Sequence, residues 1–137
     1  TQTTPYGRDV KVAGNPIRVC EMLATLDGVA LAQRVSVDCV KNIQVAKKAI
    51  RKGFENQIKK RGYSIIEVIS SCPTNWGLTP VEALDWLREN MLPYYPLGVY
   101  KDTSEEQREM SKNFNMVLAG FGGQGILFAG KVIAYAA

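Results

Sequence analysis

Apolar positions along this chain follow two periods, and the places where one gives way to the other outline the elements. From Val29 to Val37 (V-A-L-A-Q-R-V-S-V) they are nearly continuous and rich in β-branched residues, which predicts a strand buried on most of its surface. From Val40 the spacing widens to three and four. Val40, Ile43, Ala46, Ile50, Phe54 and Ile58 form one stripe, which predicts a long amphipathic helix capped by Asp38 and ended near Gly62. Tyr63 to Ser70 (Y-S-I-I-E-V-I-S) then reads as a second strand. Strand, crossover helix and strand make a βαβ unit, hence a parallel sheet.

The flanks are predicted from their punctuation. Asn15-Pro16-Ile17 offers a capping residue and a first-turn proline, predicting a helix that runs to about Leu26 and stops at Asp27-Gly28. Thr79-Pro80-Val81-Glu82 has the spacing of a capping box, opening a helix through Met91 that Pro93 stops. Tyr94 to Tyr100 reads as an extended, turn-rich tail and Lys101 to Asn115 as a polar linker. The character then changes. Asn115 to Ala119 is a short strand, Gly120 to Gly125 a glycine loop, and Ile126 to Ala137 an apolar helix, together the start of a second α/β unit. The expected fold class is therefore α/β, a parallel sheet with covering helices, plus the first strand-loop-helix of another unit. The opening Thr1-Gln2-Thr3-Thr4 lacks an initiator Met and reads as if cut from something longer.

Composition narrows the chemistry. At 137 residues with 46% hydrophobic and 22% charged side chains, the chain has globular proportions, and no apolar run reaches the roughly 20 residues of a membrane span. It has no histidine, which removes Ser-His-Asp and Cys-His catalysis and haem ligation. Cys20, Cys39 and Cys72 are too widely spaced for a C-x-x-C metal site, and reduced thiols in the cytoplasm are the simplest expectation. The net charge of +4 is unevenly placed: residues 41–61 hold eight bases and one acid, a local +7. The segment's single aromatic, Phe54, belongs to the apolar stripe and gives no aromatic interleaving of the kind nucleic-acid readers use, so a solvated face is expected, and its surplus suits steering of a small acidic electron carrier.

Two loops are candidates for binding. Gly120, Gly122, Gly123, Gln124 and Gly125 lie in a G-x-G-x-x-G run between strand and helix, where backbone N–H groups and the helix N-terminus suit a phosphate. A tight structural turn packed against a neighbour is the preferred alternative. Cys72-Pro73-Thr74-Asn75-Trp76-Gly77 leaves the carboxyl end of a predicted parallel strand, where open α/β sheets hold ligands. Thr74 and Asn75 suit hydrogen bonding to a substrate or a neighbouring subunit; the plainer alternative is a corner anchored by Trp76.

These segments resemble a known family. Thr3-Thr4-Pro5-Tyr6-Gly7-Arg8-Asp9, Ala24-Thr25-Leu26-Asp27-Gly28-Val29-Ala30, the run Cys72 to Ala83 (C-P-T-N-W-G-L-T-P-V-E-A) and Tyr95-Pro96-Leu97-Gly98-Val99 look like the C-terminal half of the β subunit of 2-oxoacid:ferredoxin oxidoreductases, closest to the 2-oxoglutarate and ketoisovalerate types. Val117 to Lys131 (V-L-A-G-F-G-G-Q-G-I-L-F-A-G-K) looks like the start of the γ subunit. The resemblance implies residues 1–100 from a thiamine-diphosphate-binding β-subunit domain, a linker at 101–115 and an incomplete γ-type domain at 116–137. It further implies thiamine-dependent oxidative decarboxylation of a 2-oxoacid, with coenzyme A taking the acyl group and electrons leaving through iron–sulfur clusters to ferredoxin. Thiamine diphosphate and Mg²⁺ would be held mainly by a G-D-G motif upstream of Thr4-Pro5, and the clusters by other segments or subunits. Of this chain only the Thr3–Gly7 loop, with Thr4 and Pro5 as its site residues, is expected near the cofactor. The chain is accordingly expected to be inactive by itself, and to work as a cytoplasmic, oligomeric subunit with no nucleic-acid or membrane partner. A non-catalytic assembly module and an incomplete dinucleotide-binding domain are the rival readings. The terminal helix Ile126–Ala137 is expected to bury itself on residues 1–100 or to drive oligomerisation.

Overall fold

A computed structural model of the chain describes residues 9–103. Its elements are α1 (Val10–Ala13), α2 (Val19–Ala24), β1 (Val29–Ser36), α3 (Val40–Ile58), β2 (Tyr63–Ile69), α4 (Pro73–Trp76), α5 (Pro80–Trp86) and β3 (Gly98–Asp102); α5 runs on into a wider π-helical turn, Leu87–Met91. The strands form one sheet in the order β2-β1-β3. The expected βαβ unit is present: β1 and β2 pair in parallel, with α3 between them in sequence.

The sheet is mixed where a parallel one was expected. The tail after Pro96 ends in β3, which pairs antiparallel with β1, Arg34 opposite Gly98 and Leu31 opposite Asp102. The path of the chain explains the direction. Residues 70–97 stay at the end where β1 and β2 finish, so β3 enters the sheet there and runs back along β1 without a crossover helix.

Each face of the sheet has its own core. Val29, Ala32 and Ile65 pack against Val19, Leu23 and Ala24 of α2 with Tyr63 and Tyr100, while Val35 packs with Ala46, Ala49, Ile66 and Val68 under α3. Alternation along β1 sends Ala32 and Val35 to opposite faces, so the two helices sandwich the sheet.

Local details depart from the sequence reading in three places. Helix α2 starts at Val19, with no side-chain cap, and not at Pro16. The preceding residues are drawn toward Tyr94 instead: the tyrosine hydroxyl donates to the Pro16 carbonyl at 3.3 Å and the Arg18 guanidinium sits 4.7 Å above its ring. Helix α3 is preceded by Cys39, and the Asp38 side chain does not cap it. The buried positions of α3 are Ala46, Ala49, Gly53 and Asn56, a narrower seam than the predicted stripe; Val40 and Ile58 are 74% and 78% exposed. Small residues let the helix lie close on the sheet. A Cβ at Gly53 would come within 2.8 Å of the Ile66 Cδ1. The bulky Ile43, Ile50 and Phe54 are half-buried alongside.

Candidate functional site

The carboxyl ends of β1 and β2 lie side by side, and the chain leaves each through a polar segment. After β2, Cys72-Pro73-Thr74-Asn75-Trp76 closes into the single turn α4, with Pro73 in its first turn and Gly77 ending it in the left-handed conformation (φ 68°, ψ 29°), which glycine adopts without strain. Trp76 lies against Trp86 of α5, ring centroids 4.6 Å apart, so the aromatic corner expected from the sequence is present. Thr74 is exposed and Asn75 half-buried on that corner.

The capping box fixes where α5 begins. The Thr79 hydroxyl accepts from the Glu82 N–H at 3.4 Å, and the Glu82 carboxylate accepts from the Thr79 N–H at 2.9 Å and its hydroxyl at 2.7 Å, holding that carboxyl below its usual range. One turn beyond α5, Arg88 reaches back to the end of β1. Its Nε donates to the Asp38 carboxylate at 3.2 Å, its Nη2 to the Asp38 carbonyl at 2.8 Å and its Nη1 to Asp85 at 3.0 Å. Asp38 is buried, which pushes its carboxyl up. Hydrogen bonds from the Ser36 hydroxyl, the Asn42 amide (2.6 Å) and Arg88 outweigh that burial and hold it below the ordinary value. The end of β1 therefore carries a guanidinium held by two carboxylates, and the corner that follows β2 carries the Thr74 hydroxyl and the Asn75 amide, groups suited to hydrogen bonding.

A second polar cluster ties the sheet together from inside. Arg34 of β1 is fully buried, opposite Glu67 of β2 in the parallel register. Its Nε donates to Glu67 at 2.8 Å, both terminal nitrogens reach Glu21 of α2, and Nη1 donates to the Tyr100 hydroxyl at 2.7 Å and the Pro96 carbonyl at 3.2 Å. The guanidinium also lies 4.9 Å from the Tyr100 ring centroid and 5.1 Å from that of Tyr95. Burial alone would lower the arginine's proton affinity, but the two carboxylates raise it, so Arg34 is permanently charged. Hydrogen bonding to Arg34 in turn holds the Glu21 carboxyl below its usual range. Cys20, beside this cluster, is pushed up to about 12 by burial and by the Glu67 charge, and is an unreactive thiol at neutral pH.

Of the site residues expected from sequence, Thr74 and Asn75 fall at the predicted strand end. Thr4, Pro5, Gly120, Gly122, Gly123, Gln124 and Gly125, with the terminal strand-loop-helix, lie outside the described residues. Sequence reasoning missed the Arg34 cluster and the Arg88–Asp38 pair. The first had a signal: an arginine inside an apolar strand, matched by a glutamate inside the next. The second had none, because Arg88 and Asp38 are fifty residues apart on elements of unrelated pattern.

No protein-family model and no solved structure matches the chain. Curated relatives do. The ketoisovalerate oxidoreductase subunit VorA of Methanothermobacter marburgensis is 31% identical over an alignment that takes in the whole chain, and VorA of Methanothermobacter thermautotrophicus is 31% identical over the same extent. The 2-oxoglutarate synthase subunit KorB of Methanocaldococcus jannaschii is 30% identical over 77% of the chain. The chain belongs with the 2-oxoacid oxidoreductase subunits. It spans 35% of the length of each VorA protein and 38% of KorB.

The thiamine diphosphate, Mg²⁺ and iron–sulfur clusters that the resemblance implies for a 2-oxoacid oxidoreductase do not fit the described residues. No three His, Cys, Asp or Glu side chains converge among them, and Asp38, the carboxylate at the strand ends, is already engaged by Ser36, Asn42 and Arg88. The three cysteines are free, with Cys20 inside the core. The described region is a scaffold with a polar edge.

Proposed function

We propose that the chain is part of a thiamine-dependent 2-oxoacid:ferredoxin oxidoreductase, in which a 2-oxoacid and coenzyme A give acyl-CoA and CO₂ while the electron pair passes to ferredoxin. Residues 1–100 are the C-terminal part of the thiamine-binding β-type region, 101–115 the linker and 116–137 the opening of the γ-type region. The observation that carries this reading is the similarity of the whole chain to VorA, which supports β-like and γ-like motifs standing in one polypeptide. The relatives' names support the substrate class: a branched-chain 2-oxoacid such as ketoisovalerate, or 2-oxoglutarate.

Within that reading, Thr4 and Pro5 lie near the thiamine site, Thr74 and Asn75 meet substrate or a neighbouring subunit, and the Gly120–Gly125 loop is a turn able to face a phosphate. Catalysis needs the remaining segments, so the chain by itself is inactive. No helix among the described residues is long and apolar enough to cross a membrane, in keeping with work in the cytoplasm as a subunit of a larger assembly.

Reconstitution tests this. Viologen reduction dependent on ketoisovalerate or 2-oxoglutarate is measured with the chain alone, with the other subunits alone and with both. Activity only in the full mixture is expected. Turnover by the isolated chain, or full turnover without it, refutes the proposal.

A further inference from the structure

The long helix α3 turns one face to the sheet and leaves another to solvent. On that outer side Lys48, Arg51, Lys52, Lys59 and Arg61 line a groove whose only acid is Glu55. Positions 48, 52, 55 and 59 recur at intervals of three and four, which stacks them along one side of the helix. Among the described residues, Lys48, Arg51, Lys59 and Arg61 have no ion-pair partner. Lys52 does have one, and it shows what the face takes: its Nζ contacts the Asp102 carboxylate at the end of β3. The groove lining contains no aromatic or large apolar side chain.

We propose that this face of α3 is a docking surface for a protein partner that presents a row of carboxylates. The spacing decides against a small anion. Eleven residues separate Lys48 from Lys59, about 16 Å along a helix axis, longer than a phosphate or diphosphate can bridge, whereas side chains on an acidic protein surface are distributed over such distances. Lysines on flexible stems, with no aromatic platform, lack the stacking that single-stranded nucleic acid uses. Charge pairing of this kind acts mainly on encounter rate and orientation and weakens with salt.

The test uses the full chain and a fluorescent deca-glutamate peptide as the acidic probe, followed by anisotropy at about 20 mM and about 200 mM salt. Expected is binding that weakens at the higher salt and falls at least about tenfold in K48E/K59E, while K11E/R18E, with the same change in net charge, binds as the parent does. K48Q/K59Q, checked for an unchanged thermal midpoint, gives a smaller loss in the same direction. Equal weakening by K11E/R18E overturns the proposal, since net charge and not this face would then be acting. Tighter binding of a short DNA duplex or of phosphatidylserine vesicles overturns it in favour of nucleic acid or membrane. Tenfold tighter peptide binding by E105Q/E106Q/E109Q assigns the face to the chain's own acidic stretch and likewise overturns it.

Discussion

Replacing Arg34 with Met tests whether the buried cluster holds the sheet together. The side chain is fully buried, and its removal strands two carboxylates of unequal accessibility: Glu67, whose side chain is 9% exposed, and Glu21, at 30%. Glu21 can turn toward water, so most of the cost falls on Glu67. Removing one partner of a buried pair costs about 3–5 kcal/mol, against a total stability of about 5–15 kcal/mol for an ordinary domain. R34M is therefore expected to lose about a fifth or more of the folding free energy. The double variant R34M/E67L removes the stranded charge and fills the space with apolar atoms, so it should recover at least about 2 kcal/mol of that loss. R34K keeps the charge but loses the planar fork that reaches Glu67 and Glu21 together, and should fall between parent and R34M. Urea unfolding, followed by circular dichroism with slopes compared across variants, gives each value. An R34M midpoint within about 1 kcal/mol of the parent would refute the reasoning, as would a double variant whose cost equals the sum of the two single changes.

Other expectations follow from the same geometry. Glu21 and Asp38 both hold their protons less tightly when folded, so the unfolded chain binds protons first as pH falls. The stability they contribute is complete above the ordinary carboxylate range and is lost below about pH 4. Urea midpoints should stay level from about pH 7 to 5 and then drop, and a midpoint that rises on acidification would reverse the sign of this argument. Cys20 is buried and its thiol pushed up to about 12, while Cys39 and Cys72 are half-buried. Ellman's reagent should label Cys39 and Cys72 in the native chain and Cys20 only after unfolding. Gly53→Leu forces a side chain into the space held by Ile66 and should cost about 1–3 kcal/mol by overpacking; an unchanged thermal midpoint would mean that α3 lies farther from the sheet than described. In the assembled enzyme, Asn75→Ala should slow 2-oxoacid turnover or weaken subunit association without moving the thermal midpoint of the chain, because Asn75 makes no side-chain hydrogen bond among the described residues. Unchanged kinetics together with unchanged assembly would remove Asn75 from the site.

The elements legible from sequence are those whose signal is local. The β1 and β2 runs carry their own β-branched pattern, and the capping box at Thr79 and Glu82 is complete within four residues; all three stand where the pattern put them. Because β2 and α5 bracket the Cys72–Gly77 corner, the positions of Thr74 and Asn75 were legible as well. What was not legible depends on partners that only the register or the path of the chain supplies. Strand β3 is short and begins at a glycine after a proline-rich turn, so nothing local marks it as a strand; its place is set by where residues 70–97 deliver it. Hydrophobicity misjudged α3 for a related reason. A stripe of apolar residues says which side of a helix faces inward, but the closest approach to a sheet goes to the smallest residues: Ala46 was on the predicted stripe, while Ala49 and Gly53, with almost no hydrophobic signal, were not.

The same reasoning separates the two polar clusters by role. Arg34 has every neighbour it needs inside the fold, from four segments at once, and leaves nothing to offer a ligand. Arg88 is held on one side only, by Asp38 and Asp85, and its side chain is 43% exposed at the strand ends. Its three nitrogens are engaged by Asp38 and Asp85, so the guanidinium is held in one orientation. The Arg34 cluster is therefore spent on holding the sheet together, whereas the Arg88 edge keeps a partly exposed guanidinium at the strand ends.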